Sequence, residues 1–202
     1  RMSGDMVITE SALANRLHSR AGRPVRLLYS GRYEPMKGAL DAVKAAVVCL
    51  QRGLNIEMDT YGQGSMAAAM RQVAASAGPK IRVHDTIAFP ELVQRAHQAD
   101  IFVCCHIQSD PSCTYLESMG AGLPIVGYAN RMWTSMALAS QAGAVTGGNT
   151  PESVADAVAQ MVGSESAMHD ASNRARSFAQ EHAFEREFLR RTDAINAALS
   201  AS

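Results

Sequence analysis

The 202-residue sequence has little aromatic content, 5% of residues with a single tryptophan, and no net charge, since 19 basic residues balance 19 acidic ones. The charge balance removes any global electrostatic case for nucleic acid or an anionic membrane surface. The scarcity of aromatics also argues against a base-stacking platform. No apolar run approaches the ~20 residues needed to span a bilayer, and no secretory signal pattern is visible. The four cysteines, Cys49, Cys104, Cys105 and Cys113, show no CxxC spacing. Buried free thiols are therefore expected, with a reducing, cytoplasmic setting. The six histidines have no metal-ligand spacing, and neither an HExxH motif nor a nucleophile elbow is present, so no metal and no bound cofactor is expected.

What is present is regular alternation. Apolar strand patterns at 25–30, 55–61, 81–84, 100–107, 125–128 and 143–147 are separated by helical patterns at 39–52, 65–77, 89–98, 110–120 and 132–141. A further helix at 8–20 precedes the first strand. Thr150 and Pro151 open a helix through 154–162, and residues 165–200 are polar and helical. This order predicts an α/β fold: a three-layer, Rossmann-like, doubly wound parallel sheet of about six strands. It predicts a single domain over 1–202, with its core at about 24–163 and C-terminal helices at 165–200.

In such sheets ligands bind beyond the carboxyl ends of the strands, so the informative loops follow the strands. The loop after the first strand holds Arg32 and Lys37 between Gly31 and Gly38. Two cations framed by glycines suit a diphosphate, or they simply decorate a solvated loop in which Glu34 pairs with Lys37. After the fourth strand comes His106, which reads more readily as a strand-end histidine than as a functional one. Then Asp110 and Pro111 form a helix-start signature, with Ser112, Cys113 and Thr114 in the first turn. Glu117 lies two turns inside that helix, and Gly120 and Gly122 close it. A phosphate at the helix start and a carboxylate further along suit the diphosphate and ribose of a nucleotide. An ordinary capped helix with Glu117 facing water explains the same residues. Gly62-Gln63-Gly64, leading to Ala67, imitates the dinucleotide fingerprint, with Asp85 about twenty residues on. A nicotinamide- or flavin-binding domain is therefore the rival reading.

Three motifs occur in order: Gly31-Arg32 with Lys37-Gly38, then Tyr61-Gly62-Gln63-Gly64, then Leu116-Glu117-Ser118-Met119-Gly120-Ala121-Gly122-Leu123-Pro124-Ile125-Val126. With them the chain resembles group 1 glycosyltransferases (family GT4), retaining enzymes of the GT-B fold, over about residues 25–162. The resemblance is to the C-terminal, donor-binding half, which implies a separate N-terminal domain for the acceptor. It implies a nucleotide-sugar donor, held at its diphosphate by Arg32 and Lys37 and at its ribose by Glu117, the second glutamate of the family's E-x7-E motif. It also implies that Thr86 and Ile87 meet the base through backbone groups, that Gly62 and Gly64 line the cleft, and that residues 109–114, Ser109 and Asp110 among them, face sugar and phosphate. The first glutamate of that motif is replaced here by Ser109, a departure compatible with a non-catalytic nucleotide-sugar-binding domain. Membrane association of the parent enzyme would depend on the other half.

Overall fold

The computed structural model describes residues 2–20, 22–109 and 112–200. Helix α1 (Glu10–His18) leads into strand β1 (Val25–Ser30), followed by α2 (Ala39–Gln51), β2 (Ile56–Tyr61), α3 (Ala67–Ala75), β3 (Ile81–His84), α4 (Phe89–Gln98) and β4 (Ile101–Cys104). Then come α5 (Cys113–Gly120), β5 (Ile125–Gly127), α6 (Arg131–Ser140), β6 (Gly143–Val145) and three helices, α7 (Pro151–Val162), α8 (Glu165–Glu181) and α9 (Phe184–Ser200). The six strands form one parallel sheet in the order β3-β2-β1-β4-β5-β6. The expected doubly wound fold is thus observed, and its strand order reverses between β1 and β4.

Each central strand buries both faces. Leu27, Tyr29, Ile101 and Val103 join one apolar cluster with α2, α3 and α7, while Leu28, Phe102 and Cys104 join a second with α4, α5, α6 and α8. Strand β2 instead alternates. Ile56 and Met58 are buried, whereas Glu57 and Asp59 face a row of cations: Arg26 to Glu57 at 3.1 Å and Arg82 to Asp59 at 2.7 Å. The second helical layer therefore stops short of β2 and β3, whose uncovered face is closed by cross-strand ion pairs instead of apolar packing.

Several expected boundaries shift by a few residues, and two of the shifts involve contacts between distant segments. Strand β4 ends at Cys104 and not at residue 107, because beyond it the chain turns so that the Ile107 N–H donates to the Met36 carbonyl at 3.1 Å. The polar C-terminal stretch is two helices, broken at His182 and Ala183, where the Phe184 N–H donates to the Met2 carbonyl at 3.1 Å. As expected, Cys49, Cys104 and Cys105 are buried free thiols, whereas Cys113 is exposed. Among the described residues no helix is long and apolar enough to cross a membrane.

A buried charge anchors the N-terminal edge of the sheet. Asp100, 1% exposed, accepts two hydrogen bonds from the Arg23 guanidinium, at 2.6 and 2.8 Å, and a third from the Arg26 N–H at 2.8 Å. Removing one partner of a buried pair leaves the other uncompensated, at a cost of about 3–5 kcal/mol. Asp100→Ala is therefore expected to lower unfolding stability by about 3 kcal/mol in urea titrations. A loss under about 1 kcal/mol would show that water replaces the carboxylate.

Candidate functional site

The reversal between β1 and β4 opens a crevice above their carboxyl ends, and three loops meet there. Their meeting depends on glycine. Gly38 adopts φ +58°, and a Cβ on it would lie 1.9 Å from the Cys105 carbonyl oxygen. A Cβ on Gly62 would lie 1.9 Å from the Gly31 carbonyl oxygen, and one on Gly64 would lie 2.4 Å from that of Tyr33. These are backbone-to-backbone approaches that no side chain permits.

Tyr33, fully buried, knits the first two loops together. Its N–H donates to the Gln63 carbonyl (2.8 Å), its carbonyl accepts from the Met66 N–H (2.8 Å), and its hydroxyl donates to the His84 carbonyl (2.7 Å). Burial pushes the Tyr33 phenol up to about 12, so it stays a neutral donor. Glu34 adds a second tie, accepting from the Ser65 N–H (3.1 Å) and hydroxyl (2.6 Å). Those two bonds, side chain first, hold its carboxyl below the usual range. Glu34 is thus spent on the Gly64-Ser65 turn and not on Lys37, the pairing weighed from sequence.

The result is a two-ended cleft. One end, about 290 Å³, is lined by Gly31, Arg32, Lys37, His106, Ser112, Cys113 and Thr114. The other, about 310 Å³, is lined by Gly31, Arg32, Tyr61, Gly62, Gln63, Thr86, Ile87 and Leu92, so Gly31 and Arg32 belong to both. Arg32 is exposed, and its guanidinium makes no hydrogen bond or salt bridge with any described residue. Lys37 is only 8% exposed, at the end of the short 3₁₀ turn Pro35–Lys37. Ser112 occupies the cap position of α5 without capping its first turn, its hydroxyl donating instead to Thr114 Oγ1 at 3.1 Å. The Ser112 hydroxyl therefore leaves the N–H groups of the α5 start uncapped by its own side chain, and that end carries the positive end of the helix dipole beside both cations. The Asp110-Pro111 helix start expected from sequence lies outside the described residues.

His106, 2% exposed, lines the cationic end, and its carbonyl accepts from Asn130 Nδ2 (3.1 Å), which also donates to the Tyr115 hydroxyl (3.0 Å). Asn130 caps α6 through the Trp133 N–H at 2.9 Å. The only sequence cue to Asn130 was a capping residue type after a strand. Tyr33 and Leu92 also escaped the sequence reading, because their roles rest on contacts across loops. Ser109 belongs to the same loop, but its hydroxyl accepts the Arg131 N–H at 3.0 Å and so joins the start of α6.

The fingerprint-like Gly62 and Gly64 sit after β2, away from the reversal in strand order, and their missing side chains are filled by Gly31, Tyr33 and Glu34. Asp85 pairs with Arg71 at 2.7 Å. Nothing remains of the dinucleotide arrangement, which needs the glycine turn at the switch point. A larger cleft of about 440 Å³ lies over β1–β3, but its charges, Arg26, Glu57, Asp59, Arg82, Glu91 and Arg95, are paired with one another. Among the described residues no group of three or more His, Cys, Asp or Glu is placed to hold a metal.

A family model described as glycosyl transferases group 1 matches residues 15–178 of this sequence. The chain belongs to that family. Among solved structures, the fold of this group 1 glycosyltransferase chain is similar to sucrose-phosphate synthase from Thermosynechococcus elongatus, with TM-score 0.77 and 16% identity over 99% of this chain and 51% of that one. HepE from Anabaena, in complex with UDP and glucose, matches with TM-score 0.76 and 13% identity over 97% of this chain and 54% of the other. The C-terminal domain of the group 1 family protein LpcC from Francisella tularensis matches with TM-score 0.74 and 14% identity, over 91% of this chain and 100% of that one. The chain thus spans about half the length of the first two. No curated protein sequence matches it.

Glu117, on the same helix as Ser112, lies half-buried beside Leu28, Ser30, Leu92 and Ser118. No described residue hydrogen-bonds its carboxylate. Burial raises its pKa above the ordinary 4.5. Because the folded value exceeds the unfolded one, ionisation opposes folding: stability falls as pH rises from about 4.5 through the folded value and the penalty persists above it. Glu117→Gln should therefore melt at a higher temperature than wild type at pH 7, with the difference vanishing near pH 4. Equal melting at both pH values would show that the carboxylate is adequately solvated.

Proposed function

We propose that this chain is the nucleotide-sugar donor domain of a retaining group 1 glycosyltransferase of the GT4 type, its acceptor held by a separate N-terminal domain. One observation carries the reading. The cleft at the strand-order reversal runs from Thr86 and Ile87, past Gly31 and Arg32, to Lys37 and the start of α5. That is the layout of a nucleoside diphosphate: a neutral end for the base, then cations and helix N–H groups for the phosphates.

In this reading the base meets the backbone at Thr86 and Ile87, and Gly62 and Gly64 let the neighbouring loop close against it. The unsatisfied carboxylate of Glu117 takes the ribose hydroxyls. Arg32 and Lys37, with the N–H groups at Ser112, Cys113 and Thr114, stabilise the nucleoside diphosphate as it departs and its charge grows. The acceptor then attacks from the face the leaving group vacates, and no metal is required for that charge. Similar folds have been captured with UDP, in HepE and in the pneumococcal O-GlcNAc transferase GtfA, which puts UDP first among candidate donors.

A second reading has one observation in its favour. Ser109, where the family places a sugar-contacting glutamate, is neutral and engaged with the Arg131 N–H. A domain that binds nucleotide sugar without turning it over would be built this way.

The test begins with calorimetric titration of this chain by UDP, GDP, ADP and NADH. One nucleoside diphosphate is expected to bind, roughly tenfold more weakly or worse in Arg32→Ala and Lys37→Ala, and undetectably in Glu117→Ala. Binding of NADH alone would reverse the assignment. In the full-length enzyme Arg32→Ala or Lys37→Ala should lower turnover about a hundredfold. A full-length protein that binds a donor yet neither transfers nor hydrolyses it would establish the second reading.

A further inference from the structure

The two ends of the cleft are carried by two helices that start beside it. Helix α4 follows Thr86 and Ile87, and α5 begins at Cys113. Between the two helices runs a narrow channel lined by Leu92, Val93 and Ala96 on one side and Glu117, Ser118 and Ala121 on the other. Although both helices pack on the same apolar cluster, direct side-chain contact between them is therefore incomplete along their lengths.

Their far ends are joined by one side chain. Arg16, on α1 and 8% exposed, donates from Nη1 to the His97 carbonyl in the last turn of α4 (3.2 Å) and to the Ala121 carbonyl at the end of α5 (2.8 Å). Its Nη2 donates to the Gly122 carbonyl at 2.7 Å. The last carbonyls of a helix have no partner inside it and carry the negative end of its dipole, so a guanidinium there is doubly favourable. The fork matters as well as the charge, since a planar group with several N–H donors can hold two helix ends at a set spacing, whereas an ammonium cannot. Burial pushes the Arg16 pKa down to about 10, which leaves it charged at neutral pH. The segment around it reinforces the joint: the Ile8 N–H donates to the Gly120 carbonyl (2.8 Å), and the Ile8 carbonyl accepts from Arg176 on α8 (2.8 Å).

We infer that Arg16 is a positioning residue, which fixes the spacing between the base end and the diphosphate end of the cleft by tying the C-terminal ends of α4 and α5. Its role rests on the donor-binding reading above. A helix of 8–10 residues is about 12–15 Å long, so a tilt of about 5° at the tied end displaces the cleft end by about 1 Å. A displacement of that size is enough to weaken a ligand that must touch both ends at once. A ligand that touches only one end is indifferent to it.

That difference separates positioning from general stability. Arg16→Met and Arg16→Lys would be titrated with the nucleoside diphosphate that binds wild type (UDP, GDP or ADP), and by NMR with the matching nucleoside and with pyrophosphate alone. Affinity for the diphosphate is expected to fall roughly tenfold in Arg16→Met and less in Arg16→Lys, while each part-ligand binds within about twofold of wild type. Val158→Ala, in the core on the other face of the sheet, supplies a variant of lowered melting temperature whose nucleotide affinity should not change. If Arg16→Met does not fold, Arg16→Lys carries the comparison. Unchanged diphosphate affinity, equal loss of the part-ligands, or an equal loss in Val158→Ala would overturn the inference while leaving the donor site standing. A wild-type chain silent to all three diphosphates would remove the donor reading and the role of Arg16 with it.

Discussion

The close approach of three backbone loops above β1 and β4 is the constraint on which the cleft depends. Gly38 lies against the Cys105 carbonyl, Gly62 against the Gly31 carbonyl, and Gly64 against Tyr33. Hydrogen bonds from the Tyr33 N–H to Gln63, from the Met66 N–H to Tyr33, and from the Ile107 N–H to Met36 hold the loops in those positions. Because the contacts are between main chains, they set the position of Arg32 and Lys37 with little slack. Functional groups on loops need such supporting contacts to hold their geometry.

Charge is distributed to match. On the uncovered face of β1–β3 the ionised residues neutralise one another across strands. At the strand-order reversal the pattern changes: the Arg32 guanidinium has no hydrogen bond or salt bridge with any described residue, the Ser112 side chain does not cap α5, and Glu117 is half-buried without a hydrogen bond from any described residue. Each is unfavourable or neutral for folding alone. Groups left in that condition at one place are what a binding site looks like before its ligand arrives, and perturbed carboxylates cluster at such places. The volume of a cleft is a poorer guide, since the larger cleft is the one whose charges are already paired.

Much of this was legible in the residues. The alternation of apolar runs with amphipathic segments gave a parallel sheet and nearly all its elements, because burial on both faces imposes a continuous apolar run and a 3.6-residue period imposes a stripe. The cations at Arg32 and Lys37 and the helix that carries Glu117 could be singled out because the segments holding them follow strand ends, where ligands bind in such sheets. Other features were not readable. The partner of Glu34 is Ser65, thirty-one positions away, and the hydroxyl of Ser109 turns to the start of α6. Gly62 and Gly64 imitate a dinucleotide motif until the strand order places them after β2, away from the reversal.

The sequence by itself therefore determined the class of fold, the order of its elements and the chemical character of the strand-end loops, since all three follow from local periodicity, capping and composition. Only the tertiary structure decided which loops converge, which glycines serve packing and which charges remain unpaired. It also decided that Arg16, an unremarkable position on an N-terminal helix, reaches the ends of both α4 and α5. Those outcomes depend on contacts between residues far apart in the chain, and local pattern carries no information about distances across a sheet.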